Sequence, residues 1–137
     1  MAIIKPMEKY WSRNNLIKWI NKILVKEKSL IGFDFAFSYP FYDVFSYFPG
    51  IKNSPINAKS LWSMIEKINK EKENLYGGEI WNQSPYSNFY NAPKLKGKLY
   101  INRKRLTEIH AKNKIYSPSP TFNCVGPGAV GTGSLAG

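Results

Sequence analysis

The chain has 137 residues, enough for one domain with a modest core. Aromatic residues make up 15% of it, which argues against a disordered chain, and 20 Lys and Arg against 9 Asp and Glu leave a formal charge of +11. Cys124 is the single cysteine, so an internal disulfide and a thiolate zinc cluster are both excluded.

Helical spacing opens the chain, from about Ser12 to Glu27. Leu16, Ile17, Ile20, Ile23 and Leu24 fall on one stripe with Trp19 at its edge, and Lys18, Lys22 and Lys26 form the opposite row. Ser12 or Asn14 suits the N-cap. The next run, SLIGFDFAFSYP, is nearly continuous in apolar residues from Leu30 to Phe37, broken only by Asp34. So short an apolar run predicts a strand covered on both faces, as in a parallel sheet. Helix, tight link and buried strand make the second half of a β-α-β unit.

Tyr39 to Asn57 is rich in aromatics, Pro and Gly and reads as a long structured loop after that strand. A second amphipathic helix follows, roughly Ala58 to Lys72, with Leu61, Trp62, Ile65 and Ile68 turned inward. Residues 73–97 look irregular. Lys98 to Tyr116 can hold a short strand and one helical turn around Leu106 and Ile109. Thr121 to Val125 suits a strand, and Ala129 to Ala136 the start of a helix.

Among the chemistry-bearing residues, Asp34 is the most informative. A carboxylate inside an apolar run is costly unless it is paired, metal-bound or hydrogen-bonded to backbone amides. At the carboxyl end of a parallel strand it would face the crevice where open α/β sheets bind ligands. The alternative is a carboxylate capping the N–H groups of the following loop. Arg105 and Glu108, three residues apart, can pair on a helix face, or Arg105 can grip a phosphate with its fork. His110 is the single histidine, so no multi-histidine metal site exists, and an exposed position is expected. Cys124 sits in an apolar run, which suggests a buried, inert thiol.

Gly126-Pro127-Gly128-Ala129-Val130-Gly131 matches the dinucleotide fingerprint letter for letter. The acidic residue expected about 20 positions further on is not in the sequence, and no lysine stands where a phosphate-binding P-loop needs one. Nucleotide-cofactor binding is therefore the least favoured function. What survives is a tight turn whose backbone amides could meet an anion. The positive charge admits two readings, a phosphate-rich partner or a Lys-rich composition without a specific ligand.

GFDFAFSYP, RLTE and FNCVGPGAVGTGSLAG, in this order and with Ser12-Arg13 ahead of the first helix, resemble an uncharacterised bacterial family of predicted nucleases. Its fold is similar to ribonuclease H, and some members carry cobalamin-biosynthesis names. The resemblance implies an α/β domain, a mixed sheet flanked by helices, with acidic residues gathered around Mg²⁺ or Mn²⁺. It makes Asp34 a metal-binding, catalytic carboxylate. Arg105 and Glu108 match the family's R-x-T-E segment, and Gly126, Gly128 and Gly131 its glycine-rich turn, together the expected phosphate-binding set. Family members have a further Asp-bearing strand before the first helix and a Glu-bearing strand after the glycine turn. Residues 1–137 are thus expected to be a single, incomplete ribonuclease-H-like domain, inactive as a phosphodiesterase in this form. A non-catalytic phosphate or nucleic-acid binding module is the alternative. No run nears the roughly 18–20 apolar residues of a membrane span, and the N-terminus is not a secretory signal, so a cytoplasmic protein without a membrane partner is expected.

Overall fold

The computed structural model describes residues 4–6, 9–26, 28–33, 36–73, 76–112, 118–127 and 129–136. These form a mixed helix and small-sheet structure, α/β in the general sense.

Helix α1, Arg13–Lys26, forms where the apolar periodicity places it. Ser12 is its N-cap: its hydroxyl accepts from the Asn15 N–H at 3.2 Å and its carbonyl from the Leu16 N–H at 2.9 Å. None of the 14 residues of α1 is buried.

The segment after α1 departs from expectation. The described residues between Lys28 and Ser38 form no strand, and Leu30, Phe33 and Phe37 are exposed, Leu30 completely so. An apolar run becomes a buried strand only where neighbouring strands accept its backbone bonds and other layers cover its faces. Among the described residues, the sheet that does form is a single pair of two-residue strands, too small to receive it. The segment is tied down instead at its end, where the Trp62 indole N–H donates to the Phe37 carbonyl at 2.8 Å.

The loop from Tyr39 to Asn57 is free of helix and strand, as its composition suggests, and it is a large part of the core. Tyr39, Pro40, Tyr47, Phe48 and Pro55 are all buried in it. Helix α2, Ala58–Asn69, starts at a reciprocal cap. The Asn57 side chain accepts from the Ser60 N–H, and the Ser60 hydroxyl accepts from the Asn57 N–H. Leu61 and Ile65, four residues apart and so on one face, are its buried residues. Trp62, expected inward, is 47% exposed, because its indole serves as the tether to Phe37.

Residues 73–97, irregular in sequence, contain two 3-10 turns at Gly78–Asn82 and Tyr86–Phe89. The first presents Ile80 and Trp81 to α2. Asn69 joins the two elements: its amide N–H donates to the Ile65 carbonyl, and its oxygen accepts from the Glu79 N–H. A minimal antiparallel hairpin follows, β1 (Asn91–Ala92) with β2 (Leu95–Lys96), in register Asn91 to Lys96 and Ala92 to Leu95. No strand forms in the described part of Lys98 to Tyr116. The strand expected at Thr121–Val125 reduces to one parallel bridge. There the Asn91 N–H donates to the Phe122 carbonyl and the Cys124 N–H to the Asn91 carbonyl.

That bridge brings Phe122 into an aromatic cluster. Its ring centroid lies 4.7 Å from Tyr39, 5.2 Å from Tyr90 and 6.0 Å from Phe48, all in edge-on contacts. Two short helices complete the structure, α3 (Leu106–Lys112) and α4 (Gly131–Ala136). Helix α4 lies against Gly77, where an added Cβ would come within 2.6 Å of the Leu135 backbone. No described helix is long and apolar enough to cross a membrane.

Candidate functional site

The expected site positions fare differently. Asp34, the expected metal-binding and catalytic carboxylate, lies outside the described residues, as does Gly128. Among the described residues no three His, Cys, Asp or Glu side chains gather in a way that could hold a metal ion.

Arg105 and Glu108 are brought together tightly. The Glu108 carboxylate accepts from the Arg105 backbone N–H at 2.8 Å, from Arg105 Nε at 2.8 Å, and lies 2.7 Å from Nη2. The pairing is stronger in kind than a surface i,i+3 contact, since the Glu108 side chain is only 3% exposed. Glu108 does two jobs at once. It reaches back over the start of α3 to satisfy an orphan N–H, as the third residue of a capping box does, and it orients the guanidinium. Among the described residues Nη1 has no partner, which leaves one edge of the guanidinium for a ligand.

Arg105 borders a cleft of about 590 Å³. Its lining comes from residues 38–43 and Tyr47, from residues 104–107 with Ile109, and from Ile56 and the start of α2. Most of the surface is apolar, and Lys104 and Arg105 supply the cationic lining.

The loop wall is held by Arg103, which sequence reading did not single out. Arg103 is buried, and its fork serves five acceptors. Nε donates to Asp43 Oδ2 at 2.7 Å and Nη1 to the Tyr47 carbonyl at 2.8 Å. Nη2 faces Asp43 Oδ1 at 2.6 Å, the Ser46 carbonyl at 2.6 Å and the Pro40 carbonyl at 3.0 Å. The guanidinium also lies 5.6 Å from the Phe122 ring centroid, which joins the loop to the aromatic core. The hydrogen bond from Arg103 holds the Asp43 carboxyl below its ordinary value, against the opposing effect of burial. Asp43 is thereby occupied as a structural anion. The Tyr47 hydroxyl is pushed up by burial and by the neighbouring Tyr42.

Gly126 takes a left-handed φ of +86°, as a tight turn requires, and is exposed to open space. Gly131 serves a different end. It is buried, and an added Cβ would lie 2.5 Å from Cys124 Sγ and 2.6 Å from the carbonyl oxygens of Asn123 and Thr121. Its N–H donates to the Asn123 carbonyl at 3.1 Å, so that amide is already taken and does not face an anion. In the described residues this stretch is a close-packing device. Burial pushes the Cys124 thiol up to about 12, opposed by a hydrogen bond from Thr132, which keeps it protonated and unreactive at neutral pH. His110 is exposed on α3.

The signals that could have revealed the Arg103 clamp were thin. The arginine stands in an R-K-R run and its acid in an aromatic loop 60 residues away, with nothing local linking them. In comparisons with known families, curated proteins and solved structures, none matches this chain.

Proposed function

We propose that the chain engages the phosphate groups of a nucleic acid, or of a similar phosphate-bearing ligand, with Arg105 as the gripping side chain. The observation that carries this reading is the Arg105–Glu108 pair at the cleft edge. A buried carboxylate fixes the guanidinium, and one nitrogen remains for a partner. Lys104 lies beside it on the cleft, and the net charge of +11 favours an anionic partner at long range. A ribonuclease-H-like architecture belongs to the same proposal and is supported by the resemblance of GFDFAFSYP, RLTE and the glycine turn.

Binding of a fluorescent single-stranded oligonucleotide, followed by anisotropy from low to high salt, tests it. Affinity falls steeply with salt, because each neutralised phosphate releases counterions. Arg105→Lys keeps the charge but loses the Glu108-oriented guanidinium nitrogen, and weakens binding about tenfold. A salt-independent affinity would sink the proposal.

Metal-dependent hydrolysis of a phosphodiester is the second reading, with Mg²⁺ or Mn²⁺ at Asp34. The resemblance of GFDFAFSYP, RLTE and the glycine turn supports it. Calorimetric titration of Mg²⁺ and Mn²⁺ into wild type and Asp34→Asn is the check, with binding lost in the variant. Equal binding by both removes Asp34 from the reading.

A further inference from the structure

The loop clamped by Arg103 has a tip that packing does not explain. Tyr42, Val44 and Phe45 are 68%, 46% and 73% exposed, although the buried Tyr39 and Pro40 and the half-buried Phe41 come just before them. Phe45 has a φ of +52°, a conformation that bulky L residues rarely adopt and that persists only where surrounding structure imposes it. The buried guanidinium of Arg103 binds the backbone or side chain at Pro40, Asp43, Ser46 and Tyr47, on both sides of the tip. The tip rings also brace one another. Tyr42 meets Phe41 at 6.0 Å and Phe45 at 6.4 Å, both nearly perpendicular. An exposed aromatic tip is thus displayed by a rigid mount, and Tyr42 lines the same cleft as Lys104 and Arg105.

We propose that this tip is a stacking platform for unpaired bases, and that the cleft therefore takes single-stranded nucleic acid, with the base on Tyr42 and the adjacent phosphate on Arg105. The proposal deepens the phosphate-binding reading and rests on it. Aromatic faces beside cationic side chains are the two elements single-strand binding needs, because every base has a stackable face and every nucleotide a phosphate. A duplex hides its base faces and could use only the cations. A purely apolar partner would gain nothing from the paired cations at Lys104 and Arg105. A second copy of the chain would bring a further +11 of like charge to the same surface.

Three probes of equal length test this at one low salt concentration: a single-stranded oligothymidine, the same backbone without bases, and a duplex. The single strand binds most tightly, the abasic strand and the duplex roughly tenfold more weakly. Tyr42→Ala, at an exposed position where folding is little affected, loses that preference, and Tyr42→Trp restores it. Circular dichroism and melting of both variants confirm the same fold. If the abasic strand binds as well as the base-bearing one, or Tyr42→Ala leaves the preference intact, the platform is overturned while salt-dependent phosphate binding through Arg105 stands. Binding of none of the three probes overturns both.

Discussion

Helices α1 and α2 are both amphipathic, with apolar residues at matching three- and four-residue intervals, yet they stand differently in the protein. In α2, Leu61 and Ile65 are buried against the turn that carries Ile80 and Trp81. In α1, Ile17 and Leu24 are 44% and 50% exposed, and no residue is buried. Periodicity directs one face of a helix away from water, but burial needs a surface to receive it. The turn at Gly78–Asn82 supplies that surface to α2, and Asn69 locks the two together through both ends of its amide. Among the described elements none makes extensive contact with α1, and there the same pattern yields a helix and little tertiary stability.

The contrast can be broken or sharpened by substitution. The largest effect is expected away from both helices, at the Arg103 clamp that closes the core around the loop. Arg103→Ala leaves Asp43 without its partner and the carbonyls of Pro40, Ser46 and Tyr47 without a donor. A loss of about 3–5 kcal/mol in urea unfolding is expected, with Arg103→Lys intermediate if the former does not fold. The same pair sets a pH dependence. The carboxyl of Asp43 is depressed in the folded state, so its contribution is present above the unfolded carboxylate range and is lost as pH falls through the folded value. Melting temperature therefore drops on acidification below about pH 4, and Asp43→Asn flattens that part of the profile.

Leu61→Ala comes next, at about 2–5 kcal/mol, since Leu61 is fully enclosed. Leu24→Ala, the same chemistry on α1, costs less than about 0.5 kcal/mol as a surface change. Chemical denaturation of the two variants side by side measures the difference between the helices directly. A similar loss in both would show that the apolar face of α1 is covered in solution.

Several features were legible before any coordinates. Both long helices, a cap at Ser12 or Asn14, the short helix ending at Ala136 and an Arg105–Glu108 contact as one of two options all depend on residues within four positions of one another, so backbone geometry alone relates them. The buried thiol of Cys124 and the exposure of His110 followed from their immediate neighbours. The segment at Leu30–Phe37 shows the limit of such reasoning. Its composition suits a covered strand, but strand formation depends on partners that a local pattern does not contain, and the described part of it forms no strand.

Local sequence determined where helices start, which faces are apolar and which charges stand three residues apart, because those relations are set by the rise and pitch of the backbone. Tertiary structure decided the rest. It joined Arg103 to Asp43 across 60 residues, packed Gly131 against Cys124, and placed Tyr42 on the same cleft as Arg105. The physical reason is one of range: hydrogen bonds and close contacts act over a few ångströms in space, and only the folded chain determines which distant residues come within that distance.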